Sequence, residues 1–241
     1  MRRFGLFWVN IFLSGLFVKS WEIRRKRMKK VFALFVLLLL SPFGYADFDE
    51  GIEYQALANP QPTVDKGKIE VLELFWYGCP HCYYLEPELD AWLKNKPDDV
   101  VFVRVPAILG PSWELYARAF YTAELLGVID KIHKPLFERI HKEKKQIRNM
   151  AQLKEFFVAQ GVSAQDFENT YKSFAVITKT NRAKQAAGLY GIKGVPALVV
   201  NGKYRTSARE AGSSKGMLEV VDFLVERERA AAGGKTQETA Q

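Results

Sequence analysis

Three kinds of hydrophobic pattern follow one another along the chain. The first is an unbroken apolar run, Val31 to Leu40, led by Met28-Lys29-Lys30 and closed by Pro42, Gly44 and Ala46. A basic start, an apolar core and small residues three and one before a cut predict an export signal cleaved after Ala46. The run is too short to span a bilayer, which takes about 20 residues. An earlier apolar stretch, Phe4 to Val18, precedes the cluster Arg24-Arg25-Lys26-Arg27. It reads as sequence upstream of a start at Met28, the alternative being a short membrane segment or an extended signal.

The second pattern is the short apolar run. Residues 69–75 (IEVLELF), 99–105 (DVVFVRV) and 195–200 (VPALVV) have the length and the β-branched content of buried strands. Asn201-Gly202 is a type I′ hairpin signal, so Lys203 to Thr206 is the partner strand. Asp47 to Lys68 is polar, contains Pro60 and Pro62, and reads as an entry strand or loop.

The third pattern has the helical period. Leu85, Leu89, Trp92 and Leu93 share one face of a helix from about Cys79 to Lys94, which Pro87 should kink. Ser112 is placed to cap a helix carrying Trp113, Tyr116, Phe120 and Ala123. Ile129 to Ile140 is another, interrupted by Pro135. Asn149 with Gln152, then Ser163 with Asp166, mark two further starts, the second ahead of Phe167, Tyr171 and Phe174. A longer helix runs to about Gly188, and a last one from Ser213 or Ser214 bears Leu218, Val221, Leu224 and Val225. Periodicity ends at Ala230, which predicts a frayed tail over 231–241.

Charge changes the picture only by its location. The chain of 241 residues carries a net +8, and residues 1–46 alone hold nine basic residues against one acidic. The remainder is balanced, so the basic excess is no footprint for nucleic acid. A local run, Lys142, Lys144, Lys145 and Arg148, reads as a solvated face. Apolar and aromatic content, 48% and 13%, excludes wholesale disorder.

Cysteine content narrows the chemistry. Export implies an oxidising compartment, yet the chain has two cysteines, both in Cys79-Pro80-His81-Cys82. A disulfide-stapled scaffold is therefore excluded. Zinc would need two more ligands, and His133 and His141 lie in the helical segment with no ligand-like neighbours. A loop this short gains little stability from closure, so the thiols are read as reactive. Thiolate is favoured at a helix N-terminus. Pro80 suits the first helical position, where its missing N–H is not needed, and His81 adds a donor or a positive charge. Stabilising the Cys79 thiolate favours the dithiol over the disulfide, so the oxidised form gives its disulfide away.

Strand, CxxC, helix, strand is the opening of a thioredoxin-like domain. The predicted fold is α/β: a thioredoxin fold over 47–110 and 188–230, split by a helical insertion over 111–187. Gly194-Val195-Pro196 opens a buried strand; a cis Val195–Pro196 bond would let the ring pack against the disulfide and leave the Val195 backbone to pair with an extended substrate. Glu73, mid-strand in an apolar run, is a candidate buried acid for Cys82, or an exposed alternating position like Glu70; Arg104 is its candidate partner. Trp76, Tyr77, Tyr83 and Tyr84 crowd the motif, either lining a groove or packing the two lobes.

ELFWYGCPHCYYLEP at 73–87 and GVPALVVNGKY at 194–204, with a helical segment of about 75 residues between them, resemble the DsbA family of periplasmic thiol:disulfide oxidoreductases. The resemblance covers essentially all of residues 47–230. It implies that Cys79 is the exposed nucleophile, Cys82 the recessed partner, His81 the tuner of potential, and Glu73 the buried acid. It also implies that Val195 and Pro196 form the substrate-receiving loop, beside which Trp76 is a candidate contact. The implied partners are reduced secreted polypeptides and an inner-membrane, quinone-linked reoxidase of the DsbB type. No cofactor beyond the Cys79–Cys82 disulfide is implied, and the family expectation is a monomer. The competing readings are an isomerase or reductant, a chaperone-like module whose thiols are incidental, and a membrane-anchored accessory protein. The 24 residues between Ala46 and Val71 leave no room for the dimerisation domain of secreted isomerases.

Overall fold

The computed structural model describes residues 47–238, with side chains up to Ala232. The export signal and the stretch before it lie outside the described residues. Strands are β1 (Gln55–Ala56), β2 (Ile69–Phe75), β3 (Val100–Pro106), β4 (Ala197–Val200) and β5 (Tyr204–Ser207). Helices are α1 (Pro80–Asn95), α2 (Glu114–Leu125), α3 (Ile129–His141), α4 (Met150–Ala159), α5 (Ala164–Tyr171), α6 (Phe174–Leu189) and α7 (Ser214–Glu238).

The sheet order is β1-β5-β4-β2-β3, with β2 and β3 parallel and the other pairs antiparallel. Alternation along β2 sorts its side chains between two cores. Val71 packs with Leu85 and Leu89 of α1 and Leu218, Val221 and Leu224 of α7. Leu72 and Leu74 face Ala186 and Ala187 of α6 on the other side. Complete burial of a leucine such as Leu85 or Leu89 stabilises the fold by about 1.5–3 kcal/mol. Phe75, the last residue of β2, and Tyr77 just beyond it enter a third core with Phe120 of α2 and Phe137 of α3. The helices inserted between β3 and β4 are thereby tied to the strand that leads into Cys79.

Local chemistry sets the boundaries. Asn149 Oδ1 accepts from the Gln152 amide at 3.0 Å, while the Gln152 side chain reaches back to the Arg148 amide at 2.8 Å. Ser163 caps α5 through the Asp166 amide at 3.0 Å, and Ser173 caps α6 through Val176 at 3.3 Å. Ser213 Oγ accepts from the Gly216 amide at 2.8 Å and starts α7. The Asn201-Gly202 turn has φ of 50° and 62°, as the hairpin signal requires.

Four expectations are corrected. Ser112 does not cap α2: Pro111–Trp113 form a 3-10 turn in front of it, because Pro111 fixes a tight entry. Phe174 is 83% exposed, since a new helix capped by Ser173 begins there and turns it away from the face of Phe167 and Tyr171. Pro135 does not interrupt α3, which runs unbroken from Ile129 to His141 at the cost of one backbone hydrogen bond. The last helix does not end at Ala230: α7 passes through Ala230-Ala231-Ala232, strong helix formers, and runs to Glu238.

Candidate active site

Cys79 is the N-cap of α1, with extended φ and ψ of −87° and 117°, and Pro80 opens the helix. The amides of His81 and Cys82 face its sulfur without closing a full capping hydrogen bond. Both cysteines are thiols. The Cys79 thiol is lowered from 9.0 to about 6, chiefly by the hydrogen bond from the Cys82 side chain. Burial opposes this; the two amides add to it, and the charge of His81, which is exposed, comes last. Cys82 is fully buried and moves the other way, held well above the usual thiol range by burial and then by Cys79 itself. One helical turn thus carries two sulfurs of opposite acidity.

The Val195–Pro196 peptide is cis, and the Cys79 thiol donates to the Val195 carbonyl at 3.4 Å. Pro196 is buried and Val195 half-buried. A groove of about 910 Å³ opens beside His81 and this loop, and Ile52, Arg205 and Ala208 line its far walls.

Glu73 and Glu70 are both buried, so neither is an exposed alternating position. The Glu70 carboxylate accepts from the Val64 amide at 2.8 Å, which holds the entry segment. Glu73 lies on the α1 face of β2, and parallel register sets Arg104 directly beside it. Arg104 Nε donates to Glu73 Oε2 at 2.9 Å, and Glu73 Oε1 has no partner among the described residues. Burial raises the Glu73 carboxyl from 4.5 to about 7 despite that guanidinium.

Three residues of this site carried no readable role in the sequence. Glu86 of α1 accepts from Arg104 Nη2 at 3.3 Å, and His133 Nε2 lies 3.3 Å from its other oxygen without a hydrogen bond. His133 Nδ1 meets the Tyr77 hydroxyl at 2.8 Å. His141 bonds the Tyr77 carbonyl at 2.7 Å and stacks on Tyr83. Both histidines therefore have partners, and these come from the CxxC segment rather than from their own helix. The only advance signal was their place on the apolar face of α3, eight residues apart around Phe137. Among the described residues no cluster of His, Cys, Asp and Glu could hold a metal ion.

The aromatic crowd packs lobes more than it lines a groove. Trp76 stacks on Trp113 with ring centres 4.1 Å apart and planes 7° from parallel, and Tyr77 is completely buried. Tyr84 alone of the four is well exposed, at 66%. Lys142, Lys144, Lys145 and Arg148 all face solvent.

An acidic sulfur at a helix N-terminus, a recessed partner one turn on and a cis-proline loop across from them define a thioredoxin-fold disulfide oxidoreductase. The DSBA-like thioredoxin domain matches residues 100–215. The thiol:disulfide interchange protein DsbA of Pseudomonas aeruginosa is 43% identical over 209 residues, covering 85% of this chain and 99% of that protein. The protein of the same name from Azotobacter vinelandii is 44% identical over 192 residues, 80% of this chain and 88% of that one. The crystal structure of Pseudomonas aeruginosa DsbA superposes with a TM-score of 0.75 at 44% identity, covering 78% of this chain and 97% of the other. The chain belongs to the DsbA family.

Proposed function

We propose that this oxidoreductase works as an oxidase, passing the Cys79–Cys82 disulfide to reduced, newly exported polypeptides. The observation that carries the reading is the split acidity of the two sulfurs, about 6 at Cys79 and far above the usual range at Cys82. A substrate thiolate attacks Cys79 Sγ, the Cys79–Cys82 bond breaks, and a mixed disulfide forms. Cys82 leaves as a buried thiolate and takes a proton from Glu73, whose charge acts on it. A second substrate thiolate then attacks the substrate sulfur of the mixed disulfide. Cys79 is released as a stable thiolate, and two electrons have passed from substrate to protein. The low pKa of Cys79 makes it the better leaving group and drives this step.

The Val195 carbonyl, already aimed at Cys79, is the natural partner for the backbone of an extended substrate. Pro80 and His81 shape the helix entry around the nucleophile. The cycle closes when a quinone-linked membrane partner reoxidises the dithiol, so no bound cofactor is required. The segment ending at Ala46 would deliver the protein, as a monomer, to the periplasm.

Three measurements test this. The first is the reduction potential against a glutathione buffer: a value well above about −270 mV supports a donor, and one at or below it makes the protein a reductant. The second is a Cys82→Ser variant in an exporting cell. It should accumulate mixed disulfides with secreted proteins at Cys79; their absence would sink the mechanism. Replacing Glu73 by Gln should flatten the pH dependence of thiol exchange, and an unchanged profile removes Glu73 from the proton path.

A further inference from the structure

Behind the thiols the buried ionisable groups form one continuous chain: Tyr77, His133, Glu86, Arg104, Glu73. Their origins differ. Glu73 is on β2, Arg104 on β3, Glu86 on α1, and His133 belongs to α3 in the helical insertion. Side-chain exposure is 0% at Glu73, 12% at Glu86, 19% at Arg104 and 9% at His133. The remaining carboxylate that acts on them, Asp90, is exposed.

The polar contacts assign the His133 tautomer. Burial holds the Tyr77 phenol well above its ordinary value, so the hydroxyl keeps its proton and is able to donate to Nδ1, which the Glu86 carboxylate beside Nε2 leaves as the acceptor. Burial also lowers His133, so the ring is neutral. With its single N–H at Nε2 the ring turns that proton toward Glu86 Oε1, 3.3 Å away, a close polar approach without hydrogen-bond alignment. Two carboxyl groups flank one guanidinium, and a buried cluster tolerates little net charge. One carboxylate balances Arg104, and the other group keeps a proton. Glu86 has contacts from both Arg104 and His133. Glu73 has Arg104 alone, and ionisation would leave its Oε1 bare.

We propose that His133 decides which of the two carboxyl groups holds the shared proton: by setting the polar edge of its ring 3.3 Å from Glu86 it keeps that group ionised and leaves the proton on Glu73. His133 is a positioning residue, acting through Glu86 on the acid that serves Cys82. The helical insertion thereby sets the protonation state of the thioredoxin site. Its catalytic meaning rests on the reading of Glu73 as the proton source for Cys82, but where the proton sits is measured independently.

The test uses the purified reduced protein with carbon-13 in its glutamate carboxyl groups. Nuclear magnetic resonance titration follows the Glu73 and Glu86 signals, assigned with E73Q and E86Q. Asn at position 133 keeps an acceptor for Tyr77 but is too short to reach Glu86; Gln places its amide where Nε2 was. In H133N the Glu73 midpoint should fall by roughly one pH unit or more and the Glu86 midpoint should rise. In H133Q both should stay at their wild-type positions. A Glu73 midpoint unmoved in H133N, or moved equally in H133Q, overturns the proposal. If H133N does not fold, the double variant Y77F/H133L replaces both hydrogen-bonding partners with apolar groups and carries the same expectation. An unchanged exchange profile in E73Q refutes the catalytic reading alone, while the H133N titration still decides where the proton sits.

Discussion

Acidifying the reduced protein through pH 6 perturbs one atom above all, the Cys79 sulfur. With its pKa at about 6 rather than 9.0, Cys79 is about nine-tenths thiolate at pH 7, where an ordinary thiol is about one-hundredth ionised. That difference has a signature in the reduction potential. While both thiols are protonated the couple takes up two protons with two electrons, and its potential falls by about 59 mV per pH unit. Once Cys79 ionises only one proton is taken up, and the slope halves to about 30 mV. For this protein the break should come near pH 6, and for an unperturbed dithiol near 9. Across those three units the two lines separate by about 90 mV, all of it in the oxidising direction. Stability follows the same window. Because the native value is depressed, the contribution to the reduced form is complete above 9.0 and is lost as pH falls through about 6. The assay is glutathione equilibration from pH 5 to 9, read by Trp76 fluorescence and checked by thiolate ultraviolet absorbance. A slope that stays near 59 mV up to pH 8 would refute the assignment of a thiolate to Cys79.

The causes of that acidity rank differently from what the motif implies. Cys82→Ala should move the midpoint of Cys79 alkylation toward 9, and His81→Ala should move it much less; the opposite order would place the control in the histidine. Arg104→Met removes the only cation between Glu73 and Glu86, and urea unfolding at pH 8 should show a loss of about 3 kcal/mol or more. That loss should shrink below pH 7 as Glu73 takes up its proton. Gly202→Ala would set a methyl group 2.1 Å from the Gln61 carbonyl at a φ of +62°. It should cost about 2 kcal/mol and speed hydrogen exchange at Leu57 and Gln61, whose amides bond to this turn; unchanged exchange there would show that the entry segment is held elsewhere.

What the sequence made legible was what short-range chemistry writes down. Caps at Asn149, Ser163 and Ser213, the Asn201-Gly202 turn, the Pro80 helix start and the strand runs each depend on a few adjacent residues. The two cysteines were legible because nothing else in the chain competes with them. Glu73 was half legible: a carboxylate in an apolar strand is conspicuous, but its burial depends on which face β2 turns to α1. Glu86 and His133 were not legible, because each is an ordinary polar residue on an amphipathic helix. They meet only through the packing of α3 against α1, which no local pattern encodes. Trp76 pointed to a binding surface by its position, and the Trp113 stack that claims its ring lies 37 residues downstream.

The sulfur of Cys79 and the carbonyl of Val195 are 116 residues apart along the chain. A polypeptide emerging N-terminus first therefore presents its CxxC helix well before the strand that covers it has been made. At roughly 5–20 residues per second of synthesis the gap lasts on the order of ten seconds. The β2–β4 pairing that closes it must also wait for every inserted helix to emerge. During that interval the thiol pair has its helix N-terminus and its neighbour but no wall opposite. The last strand pairs to form are those that turn an accessible thiol pair into a selective site, and the order of birth along the chain makes this protein, at first, a potential client of its own kind.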